Sequence, residues 1–199
     1  MLEIGRRLWQ REHIAGTDGN FSARLDDSHI LSTPTGLAKG RLVVDDLVVT
    51  DLEGRVIQGR HRPSSELEIH LAAYRLRPEV GAVVHAHPKT VVAASLASVD
   101  VMFTALPETV VALGLIGSVP YETPGSSALA SEMENALENH DAIVMERHGA
   151  ITLGRDLFEA YDRMETLEHA AQTLHLAQTL GSVESLPDDE IQRLLALGH

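Results

Sequence analysis

Cysteine is absent from all 199 residues, which removes disulfides and thiolate metal sites and leaves histidine and carboxylate as metal ligands. Basic residues are scarce, with 16 Lys and Arg against 29 Asp and Glu and a formal net charge of −13. That balance argues against a nucleic-acid partner, because such binding depends on clustered Lys and Arg that release counterions. It leaves room for a small anion, since backbone N–H groups and helix N-termini hold phosphate whatever the net charge. No apolar stretch approaches membrane-spanning length, and Met1-Leu2-Glu3-Ile4-Gly5-Arg6-Arg7 lacks the basic-then-apolar run of a signal peptide. A soluble cytoplasmic protein with no membrane partner is therefore expected.

What is present reads as one ordinary globular domain over residues 1–199, 44% hydrophobic and 23% charged. Leu2, Ile4, Leu8 and Trp9 form a helical stripe closed by Ala15-Gly16. Phe21, Ala23 and Leu25 alternate with polar residues, and Asp26-Asp27 turns the chain toward a second strand at Ile30, so a hairpin is expected. A further hairpin is read from Leu47–Thr50 and Val56-Ile57. Ser65 with Glu68 three residues on has the pattern of a capping box, opening a helix that carries Leu67, Leu71, Ala72 and Leu76 inward and ends at Pro78. Gly81 to His87 is extended, and Pro88 opens an Ala- and Val-rich helix to about Ala97. Val101–Gly117 carries no clear period. Val119-Pro120-Tyr121 looks extended, Ser126 or Ser127 caps a helix through Met133 and Leu137, and Ala142–Met145 and Ala150–Leu153 are short apolar strands. Leu157, Tyr161, Met164, Leu167, Ala171 and Leu174 mark a long helix stopped by Gly181, and a short one follows Pro187. Hairpins first and alternating strands and helices later point to an α/β class, a mostly antiparallel sheet flanked by helices.

Residues two apart on a strand share a face, so His85 and His87 can bring both imidazoles to one point. Taken alone, such a pair is equally at home in a hydrogen-bonded core. A third histidine, His148, stands at the mouth of another short strand beside Gly149. Three imidazoles with an open fourth position describe a catalytic zinc site, and zinc (Zn2+) is the first candidate. Glu66, near a helix N-terminus whose dipole favours negative charge, is the natural fourth member. A plain helix-terminus acid, or a surface pair with His70 one turn on, is the structural alternative. Gly19-Asn20-x-Ser22, Thr35-Gly36 and Ser64-Ser65 have the chemistry of a phosphate cradle, although each taken singly is also an ordinary turn.

Together, Gly19-Asn20-x-Ser22, Thr33-Pro34-Thr35-Gly36, Ser64-Ser65-Glu66, His85-x-His87 and Arg147-His148-Gly149 resemble the class II aldolase and adducin head family, with a likeness running from Gly16 to Gly181. The resemblance implies an α/β/α sandwich, usually a cyclic homotetramer with active sites at subunit interfaces. It implies that His85, His87 and His148 hold zinc, with Glu66 as acid/base and occasional ligand. It also implies that Gly19, Asn20, Thr35, Gly36, Ser64 and Ser65 hold the phosphate of a sugar phosphate. The implied activity is retro-aldol cleavage of a ketose 1-phosphate, of the fuculose phosphate kind, to dihydroxyacetone phosphate and an aldehyde. A pentulose-phosphate 4-epimerase or a sugar-phosphate dehydratase would use the same site, and adducin heads use the fold without chemistry. In that family the second proton donor lies past the His-x-His helix and reaches a neighbouring subunit's site. The stretch read as corresponding, Phe103–Glu108, has no tyrosine, so Glu108 is the expected catalytic acid there, with Tyr121 and Tyr161 as alternatives.

Overall fold

Ala82-Val83-Val84-His85-Ala86 becomes strand β5 (Ala82–Ala86), buried along its whole length, and the sheet is built outward from it. The computed structural model describes residues 1–99, 101–123 and 127–198. On one side of β5 lies β1 (Asn20–Arg24), followed by β2 (His29–Ser32), β3 (Val48–Asp51) and β4 (Val56–Gln58). On the other lies β8 (Gly149–Gly154), then β7 (Ala142–Met145) and β6 (Gly117–Val119). The order is β4-β3-β2-β1-β5-β8-β7-β6, and every neighbour pair is antiparallel except β6 with β7. Both expected hairpins form. Asp26 secures the first turn, its Oδ1 accepting from the backbone N–H groups of Ser28 and His29.

Two apolar layers sandwich the sheet, as an alternating strand buried on both faces requires. Ala82, Val84 and Ala86 pack with Ile4 and Leu8 of α1 (Leu2–Gln10), Val91 of α3 (Lys89–Ala97), and Tyr161, Met164 and Leu167 of α6 (Leu157–Leu180). Val83 turns the other way, into a cluster with Leu67, Leu71 and Tyr74 of α2 (Leu67–Leu76) and Met133 and Leu137 of α5 (Ser127–Asn139). His85 shares the parity of Val83 and so faces the α2 side. The α6 stripe expected from the sequence is buried from Tyr161 to Leu174, and Asp156 caps the helix by accepting from the N–H groups of Phe158 and Glu159. Glu168 of α6 is buried because it caps a different helix: its carboxylate accepts from the N–H groups of Thr90 and Val91 at the start of α3.

Several expectations are corrected. Trp9, a member of the helical stripe, is half exposed, and its ring lies against Gly40. The unreadable stretch contains α4 (Pro107–Leu113), packed on α6 and on α7 (Asp188–Leu195). The Ser65–Glu68 capping box does not form. Instead Ser64 Oγ accepts from the Glu66 N–H at 3.2 Å, Glu66 becomes the residue preceding α2, and Glu68 pairs with Arg75. Ser126, one of the two residues expected to cap α5, lies outside the described residues. Among those residues, no helix is long and apolar enough to cross a membrane.

Candidate metal centre

Strand parity sends His85 and His87 to one face at the end of β5, and a tight turn from β7 into β8 delivers His148 to the same point. Within that turn the His148 N–H donates to Met145 O, and Arg147 adopts a left-handed φ of 62°, unusual for a side chain of its size. Gly149 lets the turn approach: a Cβ there would lie 2.4 Å from Ala86 O and 2.7 Å from His87 Cδ2. The three ring centroids are 4.9–5.1 Å apart, and one nitrogen from each ring lies within 4.8 Å of the others. The Nε2 atoms of His85 and His87 are 3.2 Å apart. Two imidazole nitrogens bound to one tetrahedral zinc at about 2.0–2.1 Å stand about 3.3 Å apart, so this spacing fits a shared divalent ion.

Neighbouring groups prepare the rings for that role. His85 Nδ1 lies 3.0 Å from Ala150 O, so it carries the proton and donates, leaving the Nε2 lone pair aimed at the cluster. Burial pushes the His85 pKa down to about 3, and burial together with the neighbouring His148 lowers that of His87. Neutral imidazoles are the ligating form. His87 is further positioned through its backbone N–H, which donates to His13 O, and by Asp18, whose Oδ2 lies 3.7 Å from Nδ1.

Glu66 closes the group. Its Oε2 lies 3.4 Å from His85 Nε2 and its Oε1 3.4 Å from His148 Nε2, while Asn20 Nδ2 donates to Oε2 at 2.6 Å. Burial works against the charge on Glu66. His85, the Asn20 amide and His148 outweigh it, and its pKa falls below the ordinary carboxylate value. The alternative surface pair with His70 does not form, because His70 is buried with Nδ1 2.7 Å from Ser22 Oγ, which in turn contacts the Tyr74 hydroxyl at 2.8 Å.

The three polar loops meet beside this cluster. Pro34 and Pro63 form an isolated antiparallel bridge, the Thr35 N–H donates to Arg62 O, and the Ser64 N–H donates to Thr33 O, so the Thr35-Gly36 and Ser64-Ser65 segments run side by side. Gly19 precedes Asn20 with a φ of 69°, and a Cβ there would press on Ile14 and His85 O. Glu108 is not brought in: it stands exposed in the first turn of α4, and among the described residues no hydrogen bond or ion pair joins it to the triad. Tyr161 is core. Tyr121, just past β6, is exposed and lines a cavity of ≈ 180 Å³ together with Arg147 and His148. Sequence reasoning missed Asp18 and the Ala150 carbonyl as supports. Neither carries a spacing signal, because each reaches the histidines only through the pairing of β1 and β8 with β5.

Comparison with known proteins gives a consistent family result. A model of the class II aldolase and adducin N-terminal domain matches residues 1–175. The chain is 37% identical over 198 residues to a Haemophilus influenzae 3-oxo-tetronate 4-phosphate decarboxylase, covering 98% of this chain and 93% of that one. It is 36% identical over 179 residues to a Methanococcus maripaludis L-fuculose phosphate aldolase, covering 90% and 96%. The crystal structure of YgbL from Klebsiella pneumoniae matches with a TM-score of 0.88 at 34% identity, over 98% of this chain and 95% of that one.

Proposed function

The chain belongs to the class II aldolase and adducin N-terminal domain family, and on that footing we propose that it is a zinc-dependent lyase of phosphorylated keto sugars. The reaction breaks a carbon–carbon bond next to the bond that joins the carbonyl to its neighbour. The observation that carries this reading is the convergence of His85, His87 and His148 with the Glu66 carboxylate in contact. A divalent ion on the three imidazoles supplies Lewis-acid polarisation of the substrate carbonyl and its neighbouring hydroxyl. Ala150 O accepts from His85 Nδ1–H and so leaves the Nε2 lone pair for the ion, and Asn20 fixes the Glu66 carboxylate beside the reacting carbons. Gly19, Asn20, Thr35, Gly36, Ser64 and Ser65 take the phosphate, whose binding keeps the carbons in register.

In the aldol reading, a base removes the proton from the C4 hydroxyl of a ketose 1-phosphate. The C3–C4 bond breaks, the aldehyde leaves, and the proton taken from the hydroxyl is relayed through the Glu66 carboxylate to C3 to give dihydroxyacetone phosphate. Tyr121, at the cavity lined by His148, is assigned as the second proton-handling group in place of Glu108. A second reading is favoured by the similarity to a 3-oxo-tetronate 4-phosphate decarboxylase across nearly the whole chain. There the departing fragment is CO2 from a 3-oxo acid, no hydroxyl proton has to be removed, and Glu66, ionised at rest, relays a proton from water to C2. Both readings leave the same carbanion equivalent beside a carbonyl. The proposal includes a homotetramer, checked by light scattering.

The test offers the purified protein ketose 1-phosphates and 3-oxo acid sugar phosphates, with metal content measured on the same samples. Release of triose phosphate with an aldehyde supports the first reading, and release with CO2 the second. Both are expected to fall by at least about 10³-fold in Glu66→Gln. Absence of stoichiometric divalent metal, or undiminished turnover in His85→Ala, overturns the proposal.

A further inference from the structure

The residues that line the phosphate cradle carry no cation, and the groups around the histidines, Glu66 and Asp18, are negative. Arg62 and Arg147 flank the site but are exposed, and one positive side chain is buried within this region. Lys39, in the short turn Lys39–Arg41 after the Thr35-Gly36 loop, is only 3% exposed, and its Nζ donates to Thr17 O at 2.6 Å. The Thr17–Asn20 segment it grips is the one that covers the metal centre, with Asp18 beside His87 and Asn20 on Glu66. An ammonium has three N–H donors. Among the described residues one carbonyl is its only hydrogen-bond partner and no carboxylate comes within ion-pair distance. A buried cation in that condition is costly unless an anion completes its shell.

We propose that Lys39 is the cation of the substrate-anion pocket, donating its two free N–H groups to the phosphate of the sugar phosphate while the third anchors the Thr17–Asn20 loop. The inference rests on the reading that the site takes a phosphorylated substrate. Burial holds the Lys39 pKa below its usual value, with Asp18 and Glu66 pulling the other way, and an arriving phosphate supplies the missing counter-charge. Lys39 is thereby a specificity-determining residue: it rewards phosphorylated sugars over free ones and ties their binding to the loop that touches His87 and Glu66.

The sequence has two lysines, Lys39 and Lys89, and Lys89 is exposed and paired with Glu12 at 2.7 Å, which makes it an internal control. The metal-loaded, [13Cε]lysine-labelled full chain is titrated with inorganic phosphate and followed by NMR, alongside calorimetric titration of wild type, Lys39→Gln and Lys39→Arg. Saturation is expected to shift the Lys39 resonance and leave that of Lys89 in place. Lys39→Gln should bind phosphate at least about tenfold more weakly at unchanged metal content, and Lys39→Arg within about threefold of wild type, as loss or retention of a charge-assisted contact requires. A Lys39 resonance that stays fixed while phosphate binds, a Gln variant that binds like wild type, or a wild type indifferent to millimolar phosphate each overturns the inference. Should Lys39→Gln fail to fold, the wild-type NMR titration decides alone. Because inorganic phosphate is the probe, a Lys39 response together with no turnover of any keto sugar would sink the proposed reaction and leave this pocket standing.

Discussion

Asn20 Nδ2 donates to Glu66 Oε2 at 2.6 Å, joining the first residue of β1 to the residue that precedes α2 across 46 positions of sequence. The contact holds a half-buried carboxylate in its ionised form beside the histidines, and it commits one of the two donors of an amide expected to serve phosphate. A hydrogen bond to a charged group is worth about 1.5–3 kcal/mol. Asn20→Ala is therefore expected to lower kcat by about 10- to 100-fold with metal content unchanged, which steady-state kinetics and elemental analysis check together.

Gly149→Ala should separate packing from chemistry. The added methyl meets Ala86 O at 2.4 Å and His87 Cδ2 at 2.7 Å, so β8 must move away from β5. We expect a stability loss of about 1–3 kcal/mol and zinc affinity reduced by at least about tenfold, read by thermal unfolding and by competition with a chromophoric chelator. Gly181→Ala, where a Cβ meets nothing within 4 Å, is the neutral control.

Much of this arrangement was legible from periodicity. β5 and α6 are long enough, and buried on a regular enough face, that alternation and helical spacing mark them plainly. α4 escaped because Pro107–Leu113 is about two turns of mostly apolar residues, too short for a period to emerge. The histidine triad was legible because two members share a strand face and the third sits by a glycine that permits close approach. Lys39 and Asp18 were not, since their place is set by how a loop crosses the end of the sheet. Glu108 stands away from this chain's own triad because α4 is held by α6 and α7, while Tyr121 follows the strand parallel to the one that leads into His148.

His70 makes stability depend on pH. Burial pushes its pKa down from 6.5 to about 4, with Glu66 pulling weakly the other way. The unfolded chain takes up a proton near pH 6.5 that the folded chain refuses until about pH 4, so its stabilisation is complete above 6.5 and lost as pH falls through that window. The full effect is about 3 kcal/mol. Urea midpoints for wild type and His70→Gln should converge between pH 7.5 and 4.5. His85 is depressed in both proteins, so the difference isolates His70.

Tyr121→Phe distinguishes the two bond cleavages. Removing the hydroxyl at the cavity lined by His148 should slow aldol cleavage by about 10²- to 10⁴-fold. Decarboxylation, which has no hydroxyl proton to remove, should stay within about threefold. Rates of triose phosphate formation from the two substrate classes, measured on one preparation of each protein, provide the readout.

The alternation of β5 makes metal binding an all-or-none property of a frame. Inserting or deleting one residue between Ala82 and Val84 would rotate both imidazoles to the α6 side and press apolar methyls toward the carboxylate. Only His148 and Glu66 would remain in place. A change of length compatible with the histidine cluster is therefore expected only in the loops around the strand, and a chain altered inside it would keep its apolar layers while dispersing the three imidazoles.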